Sequence, residues 1–157
     1  MSNTDPVLLT QLSARVNRPI DDVFSFVSNH ENYKLWYPGV VSVVSADDTP
    51  HGTPGKMYIE TLKMPGGRHR DIPIVTIVSE RPKRFVTEGE FSALMPQMTF
   101  ELKPAGTGRT DLVWTFRSRH TSPVRRLVAR LLYRPVMKQQ ALKAMAQLTR
   151  LLEENSA

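Results

Sequence analysis

Side chains suited to acid–base chemistry or metal binding are scattered through this sequence rather than grouped. The four histidines are His30, His51, His69 and His120, and none stands four residues from another. Because the chain has no cysteine to complete a ligand set, the spacing predicts no metal site, and nothing in the sequence calls for a cofactor. All four fall in predicted turns or at the ends of predicted elements, so we expect them on the solvated surface.

The carboxylates favour no catalytic pair either. Glu88 and Glu90 lie two residues apart on a predicted strand and therefore share one face with Arg84, opposite two phenylalanines. We expect that face to be solvated, and Glu60 and Glu101 also sit opposite apolar faces rather than in a pocket that would raise a pKa. Since the chain also lacks a nucleophile motif and a phosphate-binding loop, the sequence assigns no catalytic residue.

The composition bounds the class of protein. A length of 157 residues and a hydrophobic content of 40% predict one domain over residues 7–155, preceded by a disordered N-terminal segment, residues 1–6. The opening residues lack the apolar stretch of a signal peptide and no apolar run approaches a membrane span, so a cytoplasmic protein is expected. The net charge of +6 permits anionic partners, but basic residues without interleaved aromatics argue against sequence-specific nucleic-acid recognition.

The last stretch, 122–155, is the one long helical pattern, and the other elements must be arranged against it. The nineteen residues 136–154 would make a rod of roughly 28 Å at 1.5 Å per residue. Pro135 is expected to kink or break the helix. Three- and four-residue spacing predicts one buried stripe, formed by Met137, Ala141, Ala144, Met145, Leu148, Leu151 and Leu152.

The segments before this helix alternate with a period of two, which is typical of strands. A strand over 8–16 leads into Pro19 and two short helices, and about six more strands with short connections follow, which makes them antiparallel neighbours. The expected fold is α+β, a curved antiparallel sheet of about seven strands wrapped around the long C-terminal helix. Within 40–46 both faces are apolar, so the facing of that strand stays open.

Several segments together resemble the START-like superfamily, also called SRPBCC, which includes the Bet v 1-like proteins. Residues 14–24, ARVNRPIDDVF, resemble its opening strand running through a proline into an acidic helix start. Residues 32–40, NYKLWYPGV, resemble its second helix, and 106–110 with 113–116 resemble its last hairpin. The resemblance is closest to the polyketide cyclase/dehydrase and lipid-transport family. It implies the helix-grip fold and a cavity for lipids, polyketides, sterols or plant hormones, and it implies no shared catalytic residue.

The large apolar residues between the predicted sheet and the C-terminal helix either form an ordinary hydrophobic core or line such a cavity. Methionines among them suit an adaptable pocket because they are flexible and polarizable. The resemblance favours the cavity, for which the candidate lining residues are Trp36, Tyr37, Ile59, Phe85, Phe91, Met95, Met98, Phe100, Trp114, Phe116, Tyr133, Met137, Ala141 and Met145.

The first part of the C-terminal helix contains four arginines. Arg125, Arg126, Arg130 and Arg134 interrupt valines and leucines and make this segment a basic amphipathic helix. Such a helix either contacts an anionic membrane surface or an acidic partner, or presents a solvated face.

Three functions remain open at this level. The favoured one is binding or transport of a small hydrophobic molecule, lipid or polyketide-like, without catalysis. An enzyme of the polyketide cyclase, aromatase or dehydratase type is the alternative, with Tyr37, Tyr58 and Tyr133 as the first residues to suspect of proton transfer. A protein-interaction module, as in some bacterial START-like proteins, is the third. The oligomeric state, monomer or homodimer, is not predicted.

Overall fold

The structure, a computed structural model that describes residues 5–154, consists of seven strands and a helical framework. The strands pair antiparallel in one sheet, in which the seventh strand returns to lie beside the first. The predicted helix-grip fold is confirmed, because the curved sheet holds a long C-terminal helical segment and two short helices follow the first strand. The elements are β1 (Val7–Val16), α1 (Ile20–Ser28), a 3₁₀ helix (His30–Leu35), β2 (Val40–Ser45), β3 (Met57–Lys63), a 3₁₀ turn (Pro65–Gly67), β4 (His69–Glu80), β5 (Arg84–Gly89), β6 (Pro96–Pro104), β7 (Thr110–Ser118), α2 (Pro123–Val128), a π-helical turn (Ala129–Tyr133) and α3 (Arg134–Glu154).

The predicted apolar stripe of α3 is the side of the helix that the protein buries. Its fully buried members are Ala141, Ala144, Leu148 and Leu152, and Leu151 is half-buried. Burying one face against the sheet stabilises the helix far more than its intrinsic propensity does.

Pro135 does not end the helix. α2 passes into the π-helical turn Ala129–Tyr133, and α3 follows directly with Pro135 as its second residue. A proline inside a helix donates no hydrogen bond, and its ring meets the carbonyl four residues earlier, here that of Leu131. The wider π turn accommodates both effects. The expected break is therefore a local change of helix geometry.

Two bulges account for strand positions that strict alternation does not predict. The pairing of β1 with β7 shifts between Leu8 and Thr10, and as a result Leu9 is buried while Leu8 is exposed. The pairing of β2 with β3 shifts between residues 40 and 42, so that Val40 and Val43 both point inward at a spacing of three. A bulge adds one unpaired residue and thereby reverses the phase of the faces.

An aromatic cluster occupies the centre of the core. The ring centroid of Trp114, in β7, lies 5.3 Å from that of Trp36, edge-on, and 6.3 Å from that of Phe100, stacked. These separations lie within the range in which aromatic pairs add to their burial energy.

The predicted disorder of 1–6 falls mostly on residues 1–4, which lie outside the described residues. Asp5 is described, and its carbonyl oxygen accepts a hydrogen bond of 2.8 Å from Nη1 of Arg126. Within 5–154, no helix is long and apolar enough to cross a membrane.

Two leucines of α3 give a matched test of the packing. Leu148 is 0% exposed and Leu142 is 62% exposed on the same helix. We expect Leu148→Ala to lower the free energy of unfolding by about 2–5 kcal/mol, because it leaves a cavity under the helix. Leu142→Ala should change it by no more than about 0.5 kcal/mol. Urea denaturation measures both, and equal losses in the two variants would contradict the packing described for α3.

Candidate functional site

A cavity of about 230 Å³ lies between the inner face of the sheet and the beginning of α3. Strands β3 to β7, the segment after the first 3₁₀ helix and the first turns of α3 all contribute to its walls. The lining residues are His30, Tyr33, Tyr37, Pro38, Gly39, Glu60, Leu62, Lys63, Ile72, Ile74, Thr87, Gly89, Phe91, Leu94, Pro96, Met98, Phe116, Tyr133, Val136, Met137 and Gln140.

The structure distributes the fourteen candidate lining residues over three environments. Six line this cavity, namely Tyr37, Phe91, Met98, Phe116, Tyr133 and Met137. Six others are buried in the core without lining it, namely Trp36, Phe85, Phe100, Trp114, Ala141 and Met145. Ile59 and Met95 are only partly buried and lie outside the lining.

Glu60 is the main correction to the sequence analysis. It was expected to face solvent, yet it is 6% exposed and lines the cavity. The reason is the register of β3 on β4, in which Glu60 lies opposite Ile72 and Tyr58 lies opposite Ile74. Residues directly opposite each other share a face, so the inward isoleucines bring Tyr58 and Glu60 inside and leave Met57 outside.

His30 is the second correction, because this histidine is buried rather than solvated. It is 2% exposed at the start of the first 3₁₀ helix, and its Nε2 lies 2.9 Å from Oε2 of Glu60. The imidazole stacks on Tyr33 with 4.8 Å between ring centroids and tilts against Tyr58 at 5.5 Å. A carboxylate at Glu60 accepts the hydrogen bond from Nε2–H, which satisfies a charge that would otherwise be costly to bury.

Two tyrosines, Tyr33 and Tyr37, extend the polar part of the cavity lining from Glu60 and His30 toward α3; we call this row of residues, together with Gln140, the polar wall. The Tyr37 hydroxyl donates to Oε1 of Gln140 at 3.1 Å and lies 3.6 Å from Sδ of Met137. Tyr33 stacks on Tyr37 with centroids 4.9 Å apart. Burial raises the pKa of both hydroxyls, and the negative charge of Glu60 raises them further. Both tyrosines therefore stay neutral hydrogen-bonding groups throughout the physiological pH range.

The three tyrosines first suspected of proton transfer separate in space. Tyr37 and Tyr133 line the cavity, whereas Tyr58 does not. The Tyr58 hydroxyl lies 2.7 Å from Nδ1 of His51, and burial raises its pKa to about 12. The polar residues that the sequence analysis missed are His30, Tyr33 and Glu60. No local pattern marks these residues, because the facing of Glu60 follows from the register of β3 on β4 and the burial of His30 from contacts distant in sequence.

The remaining histidines and carboxylates lie away from the cavity. His120 is also buried, contrary to expectation, and its carbonyl accepts a 3.2 Å hydrogen bond from Nη1 of Arg126. His51 and His69 are exposed, as expected. Glu88 and Glu90 each lie 3.5 Å from the guanidinium of Arg119. In the described part of the chain, no three histidine or carboxylate side chains are placed to share a metal ion.

The four arginines of the amphipathic helix have two different environments. Arg126 is buried and bonds backbone carbonyls, and Arg134 donates from Nε and Nη2 to the carbonyl oxygen of Leu8 at 3.1 and 2.8 Å. Arg125 and Arg130 are exposed. Two of the four therefore hold the helix in place, and two are free to meet a partner.

Known structures share this architecture. The chain matches the di-domain ARO/CYC StfQ of the steffimycin biosynthetic pathway with a TM-score of 0.69 and 14% identity, over 94% of this chain and 51% of StfQ, so it spans about half of that protein. A protein of Thermus thermophilus matches with a TM-score of 0.71 and 15% identity, over 94% of this chain and 99% of that one. A protein of Nitrosomonas europaea matches at 0.68 and 18% identity, over 94% and 95%.

The sequence itself carries the assignment to a family, since identities this low show the fold alone. No curated protein matches the sequence. The family model described as polyketide cyclase / dehydrase and lipid transport matches residues 9–153, which is nearly the whole chain. The protein therefore belongs to the polyketide cyclase/dehydrase and lipid-transport family.

Proposed function

We propose that this protein binds a small hydrophobic ligand, lipid or polyketide-like, in the cavity between the sheet and α3. The observation that carries the proposal is a mainly apolar cavity crossed by one continuous polar wall. The apolar side is made by residues such as Ile74, Met98 and Phe116. An apolar pocket with a few convergent polar groups is the usual form of a small-molecule site.

The polar wall defines the chemistry that a ligand must offer. Contacts run from Glu60 to His30, to Tyr33, to Tyr37 and to Gln140. Tyr33 lines the cavity and its hydroxyl is neutral, so it can donate a hydrogen bond to a ligand oxygen. The fitting ligand has an apolar body and a carbonyl or hydroxyl group at one end.

The size of the cavity restricts the ligand further. Its 230 Å³ lies below the roughly 300–1,000 Å³ of sites for drug-sized molecules. We therefore expect a compact ligand, such as a short polyketide, a fused-ring aromatic or one end of a lipid chain.

Native mass spectrometry of freshly purified protein, followed by denaturing extraction, is the direct experiment. We expect a bound species that is apolar and carries oxygen. Recovery of empty protein only, together with no thermal stabilisation by any member of a panel of apolar compounds, would overturn the proposal.

A cavity-filling substitution tests the location of the site with a defined probe. Ile74 lines the cavity and is 5% exposed, whereas Ile77, on the same strand, is 42% exposed and lies outside it. We expect Ile74→Trp to weaken binding of the fluorescent probe N-phenyl-1-naphthylamine by roughly tenfold or more, because the indole occupies the probe's space. The Ile77→Trp variant should bind the probe with the same affinity as the original protein. Equal affinities in both variants, measured by fluorescence titration on folded protein, would place the probe elsewhere.

A second candidate function is an enzyme of the cyclase or dehydratase type, and one observation favours it. The His30–Glu60 pair is a buried acid and base that both line the cavity. In such an enzyme the Glu60 carboxylate takes a proton from the carbon next to a bound ketone, and a neutral tyrosine donates a hydrogen bond to the enolate oxygen. The enolate then either expels a β-hydroxyl group, which takes up the proton and leaves as water, or attacks a second carbonyl carbon of the substrate to close a ring, in which case the new alkoxide takes up the proton. The third hypothesis, a protein-interaction module, stays a prediction.

Hydrogen–deuterium exchange on a model ketone distinguishes the enzyme from the carrier. We expect the protein to accelerate exchange at the carbons beside the carbonyl of 2-tetralone in D₂O, followed by NMR. Glu60→Gln keeps the hydrogen bond to His30 but removes the base, and should lower the accelerated rate by about a hundredfold or more. Glu101→Gln, exposed on β6, is the matched control. Acceleration that survives Glu60→Gln would remove Glu60 from the mechanism, and no acceleration at all would favour the carrier.

A further inference from the structure

The first part of the C-terminal helical segment exposes large aliphatic side chains to solvent. Five of them form a surface that we call the exposed apolar face: Val124 is 71% exposed, Leu127 52%, Leu131 65%, Leu132 65% and Val136 53%. Val124, Leu127 and Leu131 recur at three- and four-residue spacing, and Leu132 and Val136 form a neighbouring row, so the five belong to one side of the helix. Single exposed leucines are ordinary, but a contiguous group of this size marks an interaction site.

The arginines of this segment invert the usual arrangement of a surface helix. Arg126 is 9% exposed and donates to two backbone carbonyls, while Arg134 donates to a third. Arg126 and Arg134 thus fasten the helix to the protein, and the aliphatic residues are turned outward. Burying an arginine and exposing leucines both cost stability, so the exposed face is maintained for something that covers it.

The charge around the face restricts what can cover it. Arg125 and Arg130 are exposed beside the aliphatic residues. On the helical segment 123–152 the exposed charged residues are all cations, namely Arg125, Arg130, Lys138, Lys143 and Arg150, and this segment contains no aspartate or glutamate. A second copy of the chain in a two-fold contact would bring this basic surface against itself, which like-charge repulsion opposes. A nucleic acid would meet the charge but leave the aliphatic residues exposed.

The position of the cavity gives the face a role. Val136 belongs to the exposed apolar face and also lines the cavity. Tyr133, three residues earlier, lines the cavity as well. The exposed Lys63 adds a further cation on the cavity wall. A surface that covers the face therefore also covers the rim through which an apolar ligand would pass.

We infer that the exposed apolar face docks on the surface of an anionic lipid bilayer, with the rim of the cavity against the lipid. The aliphatic residues enter the boundary between head groups and acyl chains, and Arg125 and Arg130 meet the lipid phosphates, as in interfacial amphipathic helices. The inference goes beyond ligand binding, and the exposed apolar face shares only Val136 with the cavity lining, so that either proposal can fail without the other.

Vesicle sedimentation tests the docking. Full-length protein is mixed with vesicles of phosphatidylcholine alone, and with vesicles containing about one-third phosphatidylglycerol. We expect retention on the anionic vesicles that weakens with added salt, and much less on the neutral ones. Equal retention on both kinds of vesicle, or none on either, would overturn the inference.

Two pairs of variants separate the roles of the aliphatic and basic residues. Leu131→Gln with Leu132→Gln should lower the vesicle partition coefficient by roughly tenfold. Val44→Gln with Ile77→Gln, exposed residues of β2 and β4, is the matched control and should leave it unchanged. Arg125→Gln with Arg130→Gln should lower the vesicle partition coefficient several-fold. Its matched control is Arg84→Gln with Arg109→Gln, which removes the same charge from the sheet and its last hairpin and should leave the coefficient nearly unchanged.

Two further measurements show whether a loss of vesicle binding comes from the docking surface itself. N-phenyl-1-naphthylamine binding without vesicles should be unchanged in the Leu131/Leu132 variant, which shows that its fold and cavity are intact. Analytical ultracentrifugation gives the oligomeric state of the same samples. A dimer in the original protein that the Leu131/Leu132 variant loses would assign the face to a second copy and overturn the membrane inference.

Discussion

The burial of one stripe of α3 against the inner face of the sheet is the contact on which the rest of the structure depends. Where α3 presents Ala141, Ala144, Leu148 and Leu152, all at 0% exposure, sheet and helix close completely. At its first turns it presents Met137 and Gln140 instead, and there the space stays open. The curved sheet therefore contacts α3 closely along its later turns, whereas at its first turns Met137 and Gln140 line a cavity that they do not fill.

The open end is lined by polar groups that a packed core would not tolerate. An isolated carboxylate in this environment would lose hydration worth several kcal/mol. Glu60 avoids that loss through the 2.9 Å contact with His30, and the neighbouring tyrosines remain neutral because burial raises their pKa values. Gly89 also lines the cavity, and a Cβ at this position would lie only 3.0 Å from side-chain carbons of Ile74 and Pro96. A plain core could place apolar residues at the positions of these polar groups at lower cost, and this supports the proposed ligand site.

The sequence predicts this fold well because its strongest patterns are uninterrupted. Alternation in β6 and β7 orients Met98, Phe100, Trp114 and Phe116 correctly, and the stripe of α3 follows from its spacing. The candidate site is predicted poorly for the complementary reason. Glu60 faces inward against its polarity, because cross-strand register rather than residue type decides the facing of β3. His30 stands at the end of an element, where burial depends on distant chain that a local pattern does not contain.

The buried polar residues and the exposed aliphatic residues, both contrary to the usual pattern of burial, are not randomly distributed. Polar groups are buried around the cavity, aliphatic groups are exposed on the helix outside it, and the two sets meet between Tyr133 and Gln140. The π-helical turn Ala129–Tyr133, a further local irregularity, precedes the same point. Natural proteins retain such departures mainly where function compensates their cost. A closed storage site would account for the polar interior alone. The membrane docking inferred above accounts for both sets, because a poorly water-soluble ligand would then pass from the lipid into the cavity at the place where the exposed apolar face meets the cavity lining.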